Sequence, residues 1–331
     1  MSFGPDRAFL RTAVRHRLGQ TPAMSFTAAS TTDDVLTGVD LTGRRALITG
    51  ASTGLGEETA RALAAHGAEV ILAVRDPERG EAAMARIRAA VPEARLIQRP
   101  VELDSLASVR AFAEAWTADG GPLDLLILNA GIMGCPPRVT ADGWEMQIGT
   151  NHIGHSALAQ PLLASLRDGG RVVVLSSAGH RFSDVDLDDP NFERRDYDPW
   201  VAYGRSKTAN ALFALELDRR LGGRAHAYSV HPGRIVTELG RHLTEEAIAS
   251  LMESMSVGGD VGWKTVPQGA ATTCWAATAP ELDDHGGAYL EDCGVAVRTD
   301  DPVSGTGVRA YAADPERAAA LWARTEEWLA S

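Results

Sequence analysis

The stretch Arg45-Ala46-Leu47-Ile48-Thr49-Gly50-Ala51-Ser52-Thr53-Gly54-Leu55-Gly56 decides the fold. Its first five residues form a short apolar run that ends abruptly in three glycines, and an alanine-rich helical pattern from Glu57 to His66 follows. Strand, glycine turn, helix is the order that matters. Glycines let a backbone approach a pyrophosphate closely, and the helix N-terminus behind them offers unpaired N–H groups and the positive end of a dipole. The Gly-x-x-x-Gly-x-Gly spacing differs from the Gly-x-Gly-x-x-Gly of the usual dinucleotide fingerprint. Its placement between strand and helix is what points to a nucleotide.

Working outward, the same alternation repeats. Glu69 to Val74, Arg95 to Gln98 and Leu123 to Leu128 read as further strands, separated by helical patterns from Glu81 to Ala90 and Ser105 to Trp116. Leu123-Asp124-Leu125-Leu126-Ile127-Leu128 is almost continuously apolar, as a strand covered on both faces must be. Arg171 to Leu175, Ala225 to Val230 and a short run at Ala288-Tyr289-Leu290 bring the expected total to seven. Strands alternating with helices imply parallel pairing through right-handed crossovers, hence an α/β doubly wound sheet flanked by helices. No repeat, low-complexity tract or linker divides the chain from residue 44 to 300, so residues 41–331 are expected to form a single domain. Residues 1–40 stand apart as a flexible extension. Arg7, Arg11, Arg15 and Arg17 face one acid, Asp6, which suits either a basic arm touching a partner or a leader outside the fold.

Composition narrows the function. The 331 residues carry a formal net charge of -12, which disfavours nucleic acid and anionic membrane as partners. Cys135, Cys274 and Cys293 lie far apart and form neither CxxC pairs nor a disulfide framework, so a reducing compartment is expected. There is no run of 18 apolar residues and no signal-peptide pattern, and the expected location is cytoplasmic.

The second informative stretch is Ala202-Tyr203-Gly204-Arg205-Ser206-Lys207, within a helical pattern reaching Leu221. Tyr203 and Lys207 are four apart and share one helix face. A phenol has an ordinary pKa of about 10, and a neighbouring ammonium favours phenolate, so the pair could exchange a proton with an alcohol or carbonyl. Taken alone, the spacing also fits an ordinary surface pair.

Five ordered motifs carry a resemblance. Thr49 to Gly56, Asn129-Ala130-Gly131, Ser176-Ser177, Tyr203-x-x-x-Lys207 and Pro232-Gly233 resemble the short-chain dehydrogenase/reductase family in order and context, over about residues 41 to 295. Thr150-Asn151-His152-Ile153-Gly154-His155 and Gly287 to Cys293 look most like the retinol dehydrogenase and WW-domain-oxidoreductase-like branch. The resemblance implies a Rossmann-type fold and an NAD(P)-dependent oxidoreductase, a ketoreductase in one direction, interconverting an alcohol and a ketone or aldehyde. By the same resemblance Ser177 polarises the substrate carbonyl and Tyr203 donates or removes the hydroxyl proton. Lys207 would lower the tyrosine pKa and hold the nicotinamide ribose, and Asn151 would fix a water between Lys207 and solvent.

The implied cofactor contacts run through Gly50, Ser52, Thr53, Gly54, Leu55 and Gly56 in the first turn. Glu102 and Leu103 are expected at the adenine, although relatives commonly have aspartate where Glu102 stands. Asn129, Ala130 and Gly131 would lie beside the adenine ribose, and Pro232, Gly233, Ile235 and Thr237 at the carboxamide. At the end of the second strand NAD users carry an acid, whereas Val74 and Arg75 occupy this position here. An arginine suits a 2′-phosphate, so NADP is expected over NAD, with Asp76 as the residue that a one-position slip would aim at the ribose. Glu57 departs from the lysine that related proteins often carry.

Substrate choice is assigned to the least patterned segments, residues 184–200 and 238–265, read as a lid over a hydrophobic small molecule. The first carries Phe192, Tyr197 and Trp200, the second Leu239, Met252 and Trp263. An ordinary helix packed on its own domain fits these side chains equally well. His180 and His231 lack a ligand-spaced third group, and no metal site is expected. A silent dinucleotide-binding regulator and a double-bond reductase of the protochlorophyllide-reductase type are the alternatives; a homo-oligomer is compatible with all three.

Overall fold

The computed structural model describes residues 26–236, 238–240, 262–302 and 304–330. Among them an eight-stranded sheet runs in the order β3-β2-β1-β4-β5-β6-β7-β8. Its strands are β1 (Arg45–Thr49), β2 (Glu69–Val74), β3 (Arg95–Pro100), β4 (Leu123–Leu128), β5 (Leu166–Leu175), β6 (Ala225–His231), β7 (Tyr289–Glu291) and β8 (Gly294–Val295). The first seven pair in parallel; β8 adds one antiparallel strand to the seven expected. It is only two residues long, joined to β7 through Asp292 and Cys293 at positive φ, and so short a run leaves no period to read.

Helices cover both faces, which is why β4 is apolar but for Asp124, a buried carboxylate paired with Arg44 and Arg167. Ala46, Ile48, Val70, Leu72, Leu125 and Ile127 point to one face, under α2 (Gly54–Ala65), α3 (Pro77–Ala90) and α8 (Val266–Thr278). Leu47, Ile71, Leu126 and Leu128 point to the other, under α4 (Leu106–Ala115), α6 (Gly154–Leu162), α7 (Pro199–Leu221) and α9 (Pro315–Ala330). Alternate strand residues therefore serve opposite cores, each fully buried aliphatic side chain contributing about 1.5–3 kcal/mol. Between α4 and α6 the chain also forms α5 (Met146–Ile148), which runs on through a single π-helical turn, Gly149–Ile153.

The expected boundary of the N-terminal extension does not match the described part of it. Thr32–Leu36 forms a short helix, α1, with a Thr31/Asp34 capping box, and its Val35 and Leu36 are buried in the first core. Only three of its five residues are buried, Thr32, Val35 and Leu36, too few for a period to show in the sequence. The arginine-rich stretch before Met24 lies outside the described residues.

α7 is the longest helix among the described residues, and its ends explain why. Asp198 Oδ1 accepts the amides of Trp200 and Val201 at 2.8 Å, Pro199 supplies the first helical residue, and Gly222 ends the helix at φ 60. The helix packs along β5 and β6, so Tyr203 and Lys207 are held against the carboxyl ends of the central strands. Strand order reverses between β1 and β4, and a cleft outside their carboxyl ends is where an open α/β sheet takes a ligand.

Candidate active site

A cleft of about 450 Å³ opens at that reversal. Its floor is the glycine turn: Gly50, Ser52, Thr53, Gly54, Leu55 and Gly56 all line it. Gly50 and Gly54 have φ of 66 and 59, values that side chains disfavour. A Cβ on Gly56 would collide with the Gly50 carbonyl and lie 2.5 Å from Asn129 Nδ2. Thr53, the N-cap of α2, makes no side-chain cap, so the amides of the first helical turn face the cleft without a protein acceptor from that residue. A turn that excludes Cβ atoms and presents uncapped helix amides fits a dinucleotide pyrophosphate.

The wall beside it is pinned by Thr49, whose hydroxyl oxygen accepts the amides of Asn129 at 2.9 Å and Ala130 at 3.0 Å. Asn129 Nδ2 in turn donates to the Thr49 carbonyl at 2.8 Å. Asn129, Ala130 and Gly131 line the cleft. Leu103 does too, but the neighbour that joins it is Asp104; Glu102 is exposed and not among the lining residues. Ser105 caps α4 and the Ser108 hydroxyl accepts the Glu102 amide, a local turn geometry that one-residue matching did not anticipate.

At the far end of β2, Arg75 lines the cleft with Arg79, a residue that motif matching missed because it sits inside α3. Asp76 lines it as well, but its Oδ1 caps α3 by accepting the amides of Glu78 and Arg79. Glu57 pairs with Arg86 at 2.8 Å, and Arg86 also reaches the Ser52 carbonyl.

The four catalytic candidates converge at the other end. Gly131 is the joint: a Cβ there would lie 3.3 Å from Asn151 Oδ1 and 3.5 Å from Lys207 Nζ. Lys207 Nζ donates to the Leu175 carbonyl at 2.9 Å, at the end of β5, and burial drops its pKa to about 8. Asn151 sits in the π-helical turn, donating from Nδ2 to Ile132 O and Ser206 Oγ while Oδ1 accepts the Ile132 amide. Its carbonyl accepts from His155 Nδ1 at 3.0 Å. Ser206, which sequence reasoning passed over, ties that asparagine to the Tyr203 carbonyl.

Ser177 and Tyr203 meet across Gly179, where a Cβ would lie 2.5 Å from the tyrosine ring and 3.4 Å from Ser177 Oγ. Ser177 Oγ accepts the Gly179 amide at 3.0 Å, which leaves its own hydroxyl hydrogen to give. Tyr203 is 3% exposed, and burial pushes its pKa up to about 12, opposed by the Ser177 hydrogen bond. This corrects the sequence expectation that Lys207 lowers it. The ammonium stands 5.7 Å from the ring centroid and donates to the Leu175 carbonyl.

Pro232, Gly233 and Ile235 follow β6 but are not among the lining residues of the cleft. Ile235 approaches the cradle through Gly269, where a Cβ would crowd both it and Leu55. Thr237 and most of the second expected lid, residues 241–261, lie outside the described residues. In the first lid Phe192 faces Tyr197 at 5.2 Å and the Arg205 guanidinium at 4.1 Å, and Tyr197 donates to the Cys135 carbonyl at 3.0 Å. These contacts tie the segment to α7 through Arg205 and to the cleft-lining Cys135.

Against known proteins, the short chain dehydrogenase family model matches residues 44–188. A Streptomyces lividans protein named "Probable oxidoreductase" is 46% identical over 295 residues, covering 86% of this chain and 97% of its own. The chain belongs to the short-chain dehydrogenase/reductase family. Human retinol dehydrogenase 12 is 41% identical over 260 residues, 78% of this chain and 80% of its own, which places this dehydrogenase/reductase in the retinol dehydrogenase-like branch. A Burkholderia cenocepacia short-chain dehydrogenase solved in complex with NADP is 28% identical, with a TM-score of 0.60, covering 77% of this chain and 98% of that one. The protein is an NAD(P)-dependent oxidoreductase of small molecules. Among the described residues no helix is long and apolar enough to cross a membrane.

Proposed function

We propose that the protein reduces a ketone or aldehyde on a hydrophobic small molecule with NADPH, or runs the reverse oxidation, with Tyr203 as the acid/base. The observation that carries this reading is the convergence of Ser177 and Tyr203 on Gly179, set beside a Lys207 ammonium that abuts the cleft wall at Gly131. A bound nicotinamide supplies the hydride in this chemistry. Ser177, its oxygen loaded by the Gly179 amide, turns its hydroxyl hydrogen toward the carbonyl oxygen and stabilises the charge that develops there. Tyr203, held as the neutral phenol by burial, donates the proton. Lys207 keeps positive charge next to the cofactor cleft, anchored by Leu175 O. Asn151 clamps Ile132 and Ser206, holding cleft wall and catalytic helix together.

NADP is favoured over NAD by the two guanidinium groups of Arg75 and Arg79 at the end of β2, with the adjacent carboxylate, Asp76, engaged in capping α3. Two guanidinium groups suit a 2′-phosphate. The test is hydride transfer from NADPH and NADH to a panel of aldehydes, ketones and activated alkenes, after cofactor binding has been measured separately. Carbonyl reduction with NADPH supports the reading. Binding without turnover on any substrate points to a silent regulator, and alkene-only turnover to a double-bond reductase.

A further inference from the structure

We propose that His180 is a positioning residue for Ser177, and that residues 304–311 form a strap that locks His180 into the tautomer this requires. The inference rests on Ser177 being the hydrogen-bond donor to the substrate oxygen. His180 lies on the 3-10 turn Ala178–Phe182, completely buried, three residues after the serine. Its Nδ1 is 2.7 Å from the Ser177 carbonyl oxygen, a group that only accepts, so Nδ1 carries the hydrogen. Its Nε2 is 3.1 Å from the Arg309 backbone N–H, a group that only donates, so Nε2 carries none. Both ends demand the same neutral tautomer, and burial, by dropping the imidazole pKa to about 4, keeps it neutral at physiological pH.

The strap reaches this turn through three more hydrogen bonds. Arg181 donates to the carbonyls of Gly305 at 2.6 Å and Gly307 at 2.8 Å, and the Tyr311 hydroxyl donates to the His180 carbonyl at 2.7 Å. The strap is itself held to the sheet edge, since the Gly307 amide donates to Glu291 at 2.6 Å and the Val308 amide to Val297 O at 2.9 Å. A segment about 130 residues downstream thus fixes the backbone from which the Ser177 hydroxyl projects. It lies beyond the stretch that the family model matches, 44–188. Shifting that backbone moves a hydroxyl whose value lies in its aim.

His180→Ala, His180→Asn and Arg181→Met variants test this with steady-state kinetics, NADPH binding and thermal melting. An Asn amide donor falls near the position of Nδ1, so it can restore the bond to the Ser177 carbonyl. Expected are a kcat lower by about 10- to 100-fold in His180→Ala at unchanged NADPH affinity, recovery of most of it in His180→Asn, and a smaller loss in Arg181→Met. Wild-type kcat in a folded His180→Ala, or a loss that His180→Asn does not recover, overturns the proposal. Nitrogen-15 NMR of histidine-labelled protein gives a readout independent of turnover: Nδ1 protonated, Nε2 bare, and both resonances shifted by Arg181→Met. An Nε2–H tautomer overturns the proposal even if His180→Ala fails to fold. If no carbonyl is turned over, the proposed function falls while the NMR result still decides the strap.

Discussion

The two walls of the cleft are built from different materials. On the side of β1 and α2 the ligand-facing surface is backbone: glycines that exclude Cβ atoms, uncapped helix amides, and a Thr49 hydroxyl that fixes the turn after β4. On the side of β5 and α7 it is side chain, with a half-buried serine and a buried tyrosine, lysine and asparagine. A backbone wall fails when something is added to it. A side-chain wall fails when something is removed.

That contrast orders the expected effects. The largest is Tyr203→Phe, which takes away one hydroxyl and is expected to lower kcat/KM by about 10²- to 10⁴-fold while NADPH affinity stays at wild type, checked by kinetics beside a binding titration. Next is Gly56→Ala. One added methyl strikes the Gly50 carbonyl and Asn129, and the expected cost is about 1–3 kcal/mol of stability with loss of dinucleotide binding, read by denaturant melts and cofactor fluorescence. If Gly56→Ala bound NADPH normally, the backbone wall would not be the cradle described. Arg75→Glu is expected to lower the NADPH to NADH preference by about 10- to 100-fold, the worth of one charge-assisted hydrogen bond, and an unchanged preference would reject the phosphate assignment.

The smaller effects concern protons, and they belong to the side-chain wall. Because Tyr203 is a phenol up to about pH 12, alcohol oxidation is expected to quicken as pH rises from 7 to 10 while carbonyl reduction stays level up to about the Lys207 pKa of 8. Parallel pH profiles in both directions would contradict this. Burial drops His152 to about 3, His155 and His180 to about 4, and His231 well below its ordinary value. The unfolded chain takes up protons on these rings near pH 6.5 and the folded chain does not. Stability is therefore full above that pH and falls as pH drops toward 4, by at most about 1.4 kcal/mol per pH unit for each ring, measurable as a falling denaturant midpoint between pH 7.5 and 5.

The backbone wall was legible in the sequence because its parts are consecutive. A strand, three glycines and the start of a helix lie within a dozen residues, and the near-continuous apolar runs of β1, β2 and β4 declare a sheet buried on both faces. The catalytic residues were legible as motifs, but their supports were not. His180 depends on Arg309, Asn151 on Ile132 and Ser206, and His155 on Thr49, pairings that only the folded chain brings together. Glu102 was misplaced for a local reason, since the turn into α4 presents Leu103 and Asp104 to the cleft instead. The rise in the Tyr203 pKa was missed because sequence gives a partner's charge but neither its distance nor the burial around it.

The most direct test is a single turnover with NADPH deuterated at the transferable C4 position and a hydrophobic aldehyde or ketone. The account predicts deuterium on the carbinol carbon of the product from the wild-type protein, and transfer slowed by about 10²- to 10⁴-fold in Tyr203→Phe carrying a full complement of NADPH. Deuterium transfer at the wild-type rate by Tyr203→Phe would contradict it.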